Sequence, residues 1–354
     1  MEFNKQKIKD NPNLINDSKI ITTNSYSDWI FENTFLIFKS FNEFFILVYA
    51  TEQKSIIFYN LKHFQIISEI KNAHKEYITN FSHCYDKNLK MDLIMSISRT
   101  DSCIKIWNFT NNTCILNLIN INKSGILNYS CFLIHENKNY TITSNRNWVD
   151  PEPLKVFNLK GDKITQIRNS KRNTFFVNIY CDIKFNNTYI ITGNEGNVVS
   201  YNYDENELYH TYCEEFENDV FHHSFKIYIS SFKIYECENQ NDKIIKLIET
   251  SDGINSVIRI WDFHSAILLG KIKSTNNVFR CIDIWNDYFA FVGCGDKSIK
   301  LINLENNKII NSLIGHENNV SSFKIMFHPK FGKCIISQGH SNDQIRIWTS
   351  ENNK

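Results

Sequence analysis

The sequence predicts an all-β protein, a seven-bladed β-propeller of four-stranded antiparallel blades. Seven short apolar strands each end in an aromatic or aliphatic residue that is followed by Asn, Asp or Thr. Successive copies lie 48, 50, 44, 60, 41 and 46 residues apart. A repeat of this length cannot bury its own apolar faces and must stack on its neighbours. The seven copies end at Tyr59-Asn60, Trp107-Asn108, Phe157-Asn158, Tyr201-Asn202, Trp261-Asp262, Ile302-Asn303 and Trp348-Thr349.

The strands of each blade are apolar on both faces, as expected for sheets that are covered on both sides. Blade 1 is assigned to residues 29–40, 44–50, 55–61 and 65–70, and blade 2 to 78–85, 92–98, 103–109 and 114–120. Blade 3 is assigned to 126–134, 140–145, 153–159 and 163–169, and blade 4 to 175–183, 188–193, 198–204 and 207–213. Blade 5 is assigned to 224–235, 243–250, 256–263 and 266–273, and blade 6 to 278–285, 288–295, 298–304 and 308–314.

Blade 7 contains three strands after blade 6, at residues 320–328, 333–339 and 344–350, and is one strand short. We expect the segment SKIITTN at residues 18–24 to supply the fourth strand. This arrangement closes the ring with an N-terminal strand and removes an exposed sheet edge. The predicted organisation is therefore a polar, mobile tail over residues 1–16, one propeller domain over 17–350 and a short tail over 351–354.

The tight turns of this propeller depend on asparagine. The chain of 354 residues has only 11 Gly and 4 Pro, and Asn is about four times as common as Gly. Asn tolerates positive φ better than other non-glycine residues, which hairpin turns require. We expect the pairs Asn111-Asn112, Asn186-Asn187 and Asn306-Asn307 to form such turns.

Composition argues against several classes of function. The net charge of +1 gives no global basic surface, so nucleic acid is not an expected partner. The ten cysteines include no Cys-x-x-Cys pair, which is typical of small buried side chains in a reducing compartment. The N-terminus lacks the apolar segment of a signal peptide, and the longest apolar stretches are too short to span a bilayer. We expect a cytoplasmic location with no membrane insertion.

Two blades contain a further pattern around the terminal Trp. In blade 2, Ala73-His74 precedes the blade and Asp101 precedes Trp107; in blade 7, Gly315-His316 and Asp343 stand in the same places relative to Trp348. With these features the chain resembles the WD40-repeat family over residues 18–350. In that family a His, a Ser or Thr, an Asp and a Trp form a hydrogen-bonded tetrad within a blade. The resemblance implies two structural tetrads: His74, Ser96, Asp101 and Trp107 in blade 2, and His316, Ser337, Asp343 and Trp348 in blade 7.

The other blades keep parts of this tetrad. Blade 6 keeps Asp296 but has Ile302 in place of Trp, and blade 5 keeps Trp261 with His222 or His223 as the candidate histidine. A Ser-His-Asp set could also indicate a catalytic triad. Its recurrence in two blades together with a Trp favours a structural role. No Gly-rich phosphate loop, metal-ligand spacing or nucleophile elbow occurs, so we expect no enzyme activity, no cofactor and no metal.

The resemblance places the loops that enter each blade, and those between its second and third strands, on one face of the ring, the top face. Such loops on a rigid scaffold commonly carry recognition. In blade 3, Arg146 and Trp148 lie beside Pro151 and Pro153, which stiffen the loop. Trp and Arg are typical interface anchors, although Trp148 could instead pack onto its blade.

Two further loops would complete a bipolar top face. The loop entering blade 4 carries Arg168, Lys171 and Arg172, which suit a carboxylate or phosphate group. The loop entering blade 5 carries Glu214 and Glu215. Complementary potentials across blades 3 to 5 would orient a charged peptide. The alternative is that these are ordinary solvated loops.

We therefore expect a non-catalytic scaffold, a monomeric propeller that positions protein or peptide partners within a hetero-complex. Two alternatives remain open: the substrate receptor of a ubiquitin ligase, or a structural subunit of a large stable assembly. Ligase-recruiting propellers often carry an Arg three residues after the blade Trp, and here Trp261 is followed by Asp262, Phe263 and His264. A propeller enzyme would need converging polar groups at the channel mouth, and no such cluster is evident.

Overall fold

The computed structural model describes residues 15–22, 34–41, 45–98, 100, 102–119, 126–146, 154–167, 174–214, 228–239, 242–252, 256–274, 277–340 and 343–350. Within these ranges the chain forms 28 strands and no helix. The strands assemble into seven four-stranded antiparallel sheets, which confirms the predicted seven-bladed propeller. Consecutive strands pair in every blade except the seventh.

The strand bounds follow the predicted order. Blade 1 contains β2 (Phe35–Lys39), β3 (Phe45–Ala50), β4 (Ile56–Asn60) and β5 (Gln65–Ile70), after β1 (Ile15–Thr22). Blade 2 contains β6 (Ile78–Asp86), β7 (Met91–Ser98), β8 (Cys103–Asn108) and β9 (Thr113–Ile119). Blade 3 contains β10 (Ile126–His135), β11 (Lys138–Arg146), β12 (Leu154–Asn158) and β13 (Lys163–Gln166). Blade 4 contains β14 (Phe176–Asp182), β15 (Asn187–Gly193), β16 (Val198–Asn202) and β17 (Glu207–Tyr212).

The second half of the ring repeats this arrangement. Blade 5 contains β18 (Tyr228–Asn239), β19 (Asp242–Asp252), β20 (Val257–Asp262) and β21 (Leu268–Lys273). Blade 6 contains β22 (Phe279–Asn286), β23 (Phe289–Cys294), β24 (Ser298–Asn303) and β25 (Lys308–Ile314). Blade 7 contains β26 (Val320–His328), β27 (Gly332–Gly339) and β28 (Ile345–Ser350), and its fourth strand is β1.

The ring closes through β1, as predicted. Strand β1 pairs antiparallel with β28, and Ser18 lies opposite Trp348. The strand begins at Ile15, so two residues that were assigned to the N-terminal tail belong to the closing strand. The side chain of Ile15 is buried with Trp348 and Phe323, which anchors the strand to the apolar core. Tail residues 1–14 and 351–354 lie outside the described residues.

The apolar core lies between neighbouring blades. Val48 and Phe58 of blade 1 pack against Phe81 and Ile94 of blade 2, and the same type of cluster recurs at the other described seams. Inner strands such as β4 and β16 therefore bury both faces, as their uninterrupted apolar sequences predict, whereas the outermost strands β9 and β25 are largely exposed. Burial of this kind makes every blade dependent on its neighbours.

The innermost strands of neighbouring blades are joined by side chains. The amide of Phe132 donates to Ser82 Oγ (3.3 Å), and the amide of Ile282 donates to Ser231 Oγ (3.2 Å). The amide of Ile325 likewise donates to Asp283 Oδ2 (3.0 Å). These bonds satisfy backbone donors around the central channel that no adjacent strand of the same sheet could reach.

The turns show why the sequence needs so much asparagine. Asn112, Asn186 and Asn307 have φ values of 57°, 53° and 56°, in the left-handed region that the predicted hairpins require. Each lies between the strands of a hairpin, and Asn72, Asn137 and Asn206 adopt the same conformation elsewhere in the described chain. The turns between the first and second and between the third and fourth strands of each blade lie on the face opposite the top face, which we call the bottom face.

Candidate functional site

Blade 7 brings together all four residues of its predicted tetrad. His316 Nδ1 lies 3.1 Å from Asp343 Oδ2, and His316 Nε2 lies 2.6 Å from Ser337 Oγ. The indole of Trp348 donates to the same Ser337 oxygen at 2.7 Å. The set joins the loop that enters the blade to its second and third strands. A Cβ at Gly339 would lie 1.8 Å from Asp343 Oδ2, so glycine leaves the space that the carboxylate occupies.

The same geometry resembles a Ser-His-Asp triad, but its surroundings suit a structural element. Ser337 and Asp343 are buried, and the serine oxygen already accepts the indole N–H of Trp348. Burial alone would raise the pKa of Asp343, but hydrogen bonds from His316 and from the amides of Gln344 and Asn318 outweigh burial and lower it. The carboxylate is thus held ionised beside the imidazole. Because no substrate can reach the serine hydroxyl, the geometry favours a structural hydrogen-bond network that fixes the entering loop over a catalytic triad.

Blade 2 brings together three of its four predicted tetrad residues. His74 Nε2 lies 2.7 Å from Ser96 Oγ, and the indole of Trp107 donates to that oxygen at 2.8 Å. Asp101 lies outside the described residues. Burial, together with the positive charge of Lys105, lowers the pKa of His74 to about 3. The imidazole is therefore neutral throughout the physiological pH range.

Blade 5 replaces the tetrad with a network of ion pairs. Glu249 in β19 pairs with Arg259 in β20, at the register position that Ser96 and Ser337 occupy in their blades. Arg259 Nη1 lies 2.9 Å from Glu249 Oε1, and Arg259 Nε lies 2.9 Å from Glu214 Oε2. Lys271 Nζ lies 2.7 Å from the same Glu214 oxygen. Two carboxylates thus pair with two cations. The sequence did not predict this network, because Glu249 and Arg259 are ten residues apart and only the pairing of β19 with β20 brings them together.

This network changes the interpretation of Glu214. The sequence suggested an acidic side chain available to a partner, whereas the structure shows Glu214 bonded to Arg259 and Lys271. Burial alone would raise the pKa of Glu214, but these two cations outweigh it and lower the pKa. Burial raises the pKa of Glu249 against the opposing effect of Arg259. The charge of Glu214 is balanced within blade 5 and does not contribute to a top-face acidic patch.

The other residues that the sequence predicted for the top face lie at the edge of the described ranges or outside them. Arg146 is the last residue of β11, where its backbone pairs with Ile126. Trp148, Arg168, Lys171, Arg172 and Glu215 lie outside the described residues, as do His222 and His223. The bipolar top face therefore stays a prediction.

The bottom face contains a groove that the sequence did not reveal. It lies between blades 1 and 2 and has a volume of about 830 Å³. Phe41, Ile66 and Phe109 contribute apolar walls, and Lys90 and Asp92 contribute charged groups. Such a space depends on the spatial position of residues that are far apart in sequence.

The described residues contain no cluster of three or more His, Cys, Asp or Glu side chains that could hold a metal ion. Nor does any helix in this part of the chain have the length and apolarity to cross a membrane.

Comparison with known proteins gives limited sequence similarity. No family model matches the chain. It is 23% identical over 107 residues to the U3 small nucleolar RNA-associated protein 21 homolog of Schizosaccharomyces pombe. The matched segment is 30% of this chain and 11% of that protein. Seven four-stranded blades closed by an N-terminal strand, with His, Ser and Trp bonded together in two of them, decide the architecture. The chain is a seven-bladed β-propeller.

The neutral His74 predicts a pH dependence of the stability of this propeller. Because the folded pKa is lowered below the unfolded value of about 6.5, the unfolded chain binds the proton first as the pH falls. The stabilising contribution is complete above about pH 6.5 and falls by about 2 kcal/mol at pH 5. Urea unfolding of wild type and His74→Gln should therefore show a shallower pH slope in the variant. Replacing the exposed His63 by Gln is the control, and superimposable slopes for wild type and His74→Gln would contradict the interpretation.

The ion-pair network of blade 5 predicts an asymmetric mutational response. Arg259→Met leaves the buried Glu249 without its cation and should destabilise the fold by about 3 kcal/mol or more. Replacing both partners, in Glu249→Met/Arg259→Met, should restore much of that loss, because the buried charges are removed together. Lys243→Met, at the exposed pair with Glu236, is the control and should cost less than about 1 kcal/mol. Equal destabilisation by the Arg259 and Lys243 substitutions would exclude the network.

Proposed function

We propose that this WD40-like propeller is a non-catalytic scaffold that binds protein or peptide partners and positions them within a multiprotein complex. The observation that carries the proposal is a closed ring of seven blades with large apolar side chains exposed in or beside its turns. On the bottom face, Phe41 is 67% exposed, Phe185 54% and Phe327 70%. Large apolar side chains exposed at the turns of a scaffold are typical of interaction surfaces.

The chemistry-bearing side chains support the same function. In blades 2 and 7 the histidines bond to serine hydroxyls, and in blade 5 the carboxylates bond to Arg259 and Lys271. Groups that are buried and satisfied by one another stabilise the ring instead of meeting a substrate. Function then depends on what the turns and loops bind.

A structural subunit of a large stable assembly is the second candidate. The name of the yeast relative, which associates it with a small nucleolar RNA, favours membership of such an assembly. The relative aligns over a small part of its own length, so the similarity supports the type of role and not a particular partner. We propose that the complex is cytoplasmic and contains a single copy of this propeller.

Native purification tests the scaffold. We expect the tagged chain, taken separately from cytoplasmic and nuclear extracts, to elute well above the size of one chain. Chemical cross-linking should join at least two different partners to it. Co-elution with a cullin adaptor would support the substrate-receptor role instead. Elution as a monomer without stoichiometric partners in both extracts would refute the scaffold.

A further inference from the structure

The bottom face of blades 7, 1 and 2 combines apolar and basic character. We define the blade 7–1–2 arc by its described turn residues: 327–333 of blade 7, 40–41 and 61–67 of blade 1, and 87–92 and 109–112 of blade 2. We propose that this arc binds an acidic peptide segment of a partner protein, with one large apolar side chain of the peptide seated in the groove between blades 1 and 2. The inference rests on the proposed scaffold function and names its surface and the chemistry of its partner.

The groove fits a single large side chain with its flanking backbone. Its apolar walls come from Ile46, Ile66, Ile67, Met91 and Phe109, and its polar rim includes Ser68 and Asn112. Ser68 Oγ lies 3.4 Å from Asn112 Oδ1, a contact that links the two blades along one wall. A preformed apolar pocket with a polar rim holds an anchor side chain with little loss of conformational freedom in the protein.

Exposed apolar side chains extend the surface beyond the groove. Phe41 lines the groove, and the exposed Leu89 lies in the adjoining turn of blade 2. Phe64 of blade 1 contacts His328 at the seam with blade 7, and Phe327, which precedes His328 in the chain, is exposed. The Phe41 ring stacks on Tyr85 with ring centroids 5.2 Å apart, so it is held in place although it is exposed. Single exposed apolar residues are common on protein surfaces, whereas exposed apolar side chains on three neighbouring blades are typical of an interaction site.

The charge of the arc specifies an acidic partner. The exposed charged side chains in its described residues are all lysines: Lys62, Lys87, Lys90 and Lys330. Asp92 is the one acidic residue among the arc's described residues, and both it and Asp86, which directly precedes the arc, are buried and engaged. Asp92 bonds to His83 and to the amide of Phe41, and Asp86 bonds to the amides of Asn88 and Leu89.

Elsewhere on the bottom face the charge differs. The corresponding turns of blades 4 and 6 expose one lysine, Lys184, and four acidic side chains, which are Asp204, Glu205, Asp287 and Glu305. An acidic peptide is therefore attracted to the arc and repelled from those turns. The contrast orients the peptide on one side of the ring.

A peptide fits the arc better than a nucleic acid does. Aliphatic and polar side chains make up most of the groove's described lining, with Phe41 and Phe109 as its two aromatic members, whereas single-stranded RNA binds open aromatic faces on which its bases stack. One face of the exposed Phe41 ring is already covered by Tyr85. A second copy of this chain would present the same lysines to the arc in a two-fold dimer, which disfavours self-association through it.

The test uses a phage-displayed library of random peptides panned against the purified chain. We expect enriched peptides in which Asp and Glu flank one Leu, Ile, Phe or Trp. Fluorescence anisotropy of a labelled enriched peptide should show binding that weakens with salt. The arc variant, Phe41→Ser/Lys90→Glu, should bind it at least about tenfold more weakly. The control, Lys184→Glu/Phe185→Ser on the bottom turn of blade 4, should bind it as the wild type does.

Several results would overturn the proposal, provided that circular dichroism shows both variants folded. These are enrichment of peptides without acidic residues, equal binding by the arc variant, and wild-type RNA binding that the arc variant loses. Light scattering that detects a dimer only in the wild type would assign the arc to self-association.

The native complex separates this inference from the scaffold itself. If the arc variant retains every partner in the tagged purification, the scaffold stands and the arc is not its binding surface. If the wild-type chain purifies as a monomer without partners, the proposed scaffold function itself is refuted.

Discussion

The closure of the ring by β1 on β28 is the interaction on which the structure depends. Each blade buries its faces against the next, so an unclosed ring would expose one face of blade 1, one of blade 7 and the edge of β28. Closure also brings the two ends of the described chain into one sheet. Two further contacts that do not involve β1 stabilise the seam between blades 7 and 1. Thr34 Oγ1 donates to Gln338 Oε1 (2.7 Å), and His328 Nε2 lies 3.0 Å from the carbonyl oxygen of Leu61. Stability is therefore a property of the complete ring.

Polar networks within blades serve this ring in different ways. Blades 2 and 7 bond a histidine on the entering loop to a serine that also accepts a tryptophan N–H. Blade 5 uses Glu249, Arg259, Glu214 and Lys271 in the corresponding region. Blade 6 has Val292 at that register position, and Ile302 in place of Trp. Because tight packing on both sides supports every blade, a blade can lose the tetrad and keep its place. Degeneration of the repeat is thus compatible with a regular propeller.

The sequence could predict the propeller because its signals are local and periodic. Strand-ending motifs, their spacing and the asparagine turns each report on a few neighbouring residues. The two tetrads were implied by the family resemblance, and the structure brings together all four residues of the blade 7 set and three of the blade 2 set. The blade 5 network could not be predicted, because it joins residues 214 and 249 to 259 and 271, which only strand register brings together. The groove between blades 1 and 2 was missed for the same reason. The opposite error concerns Glu214. The sequence suggests an acidic loop residue that is available to a partner, whereas the structure pairs it with Arg259 and Lys271.

Hydrogen exchange measured by mass spectrometry tests ring closure most directly, on wild type and two variants of β1. Ile15→Asp places a charge at a buried position, whereas Ile20→Asp changes a side chain that is 50% exposed on the same strand. If closure supports the whole ring, Ile15→Asp lowers the free energy of unfolding by about 3 kcal/mol. The protected amides of all seven blades should then lose protection together, and Ile20→Asp should match the wild type. Loss of protection confined to β1 and β28 in Ile15→Asp, with the other blades unchanged, would contradict the account.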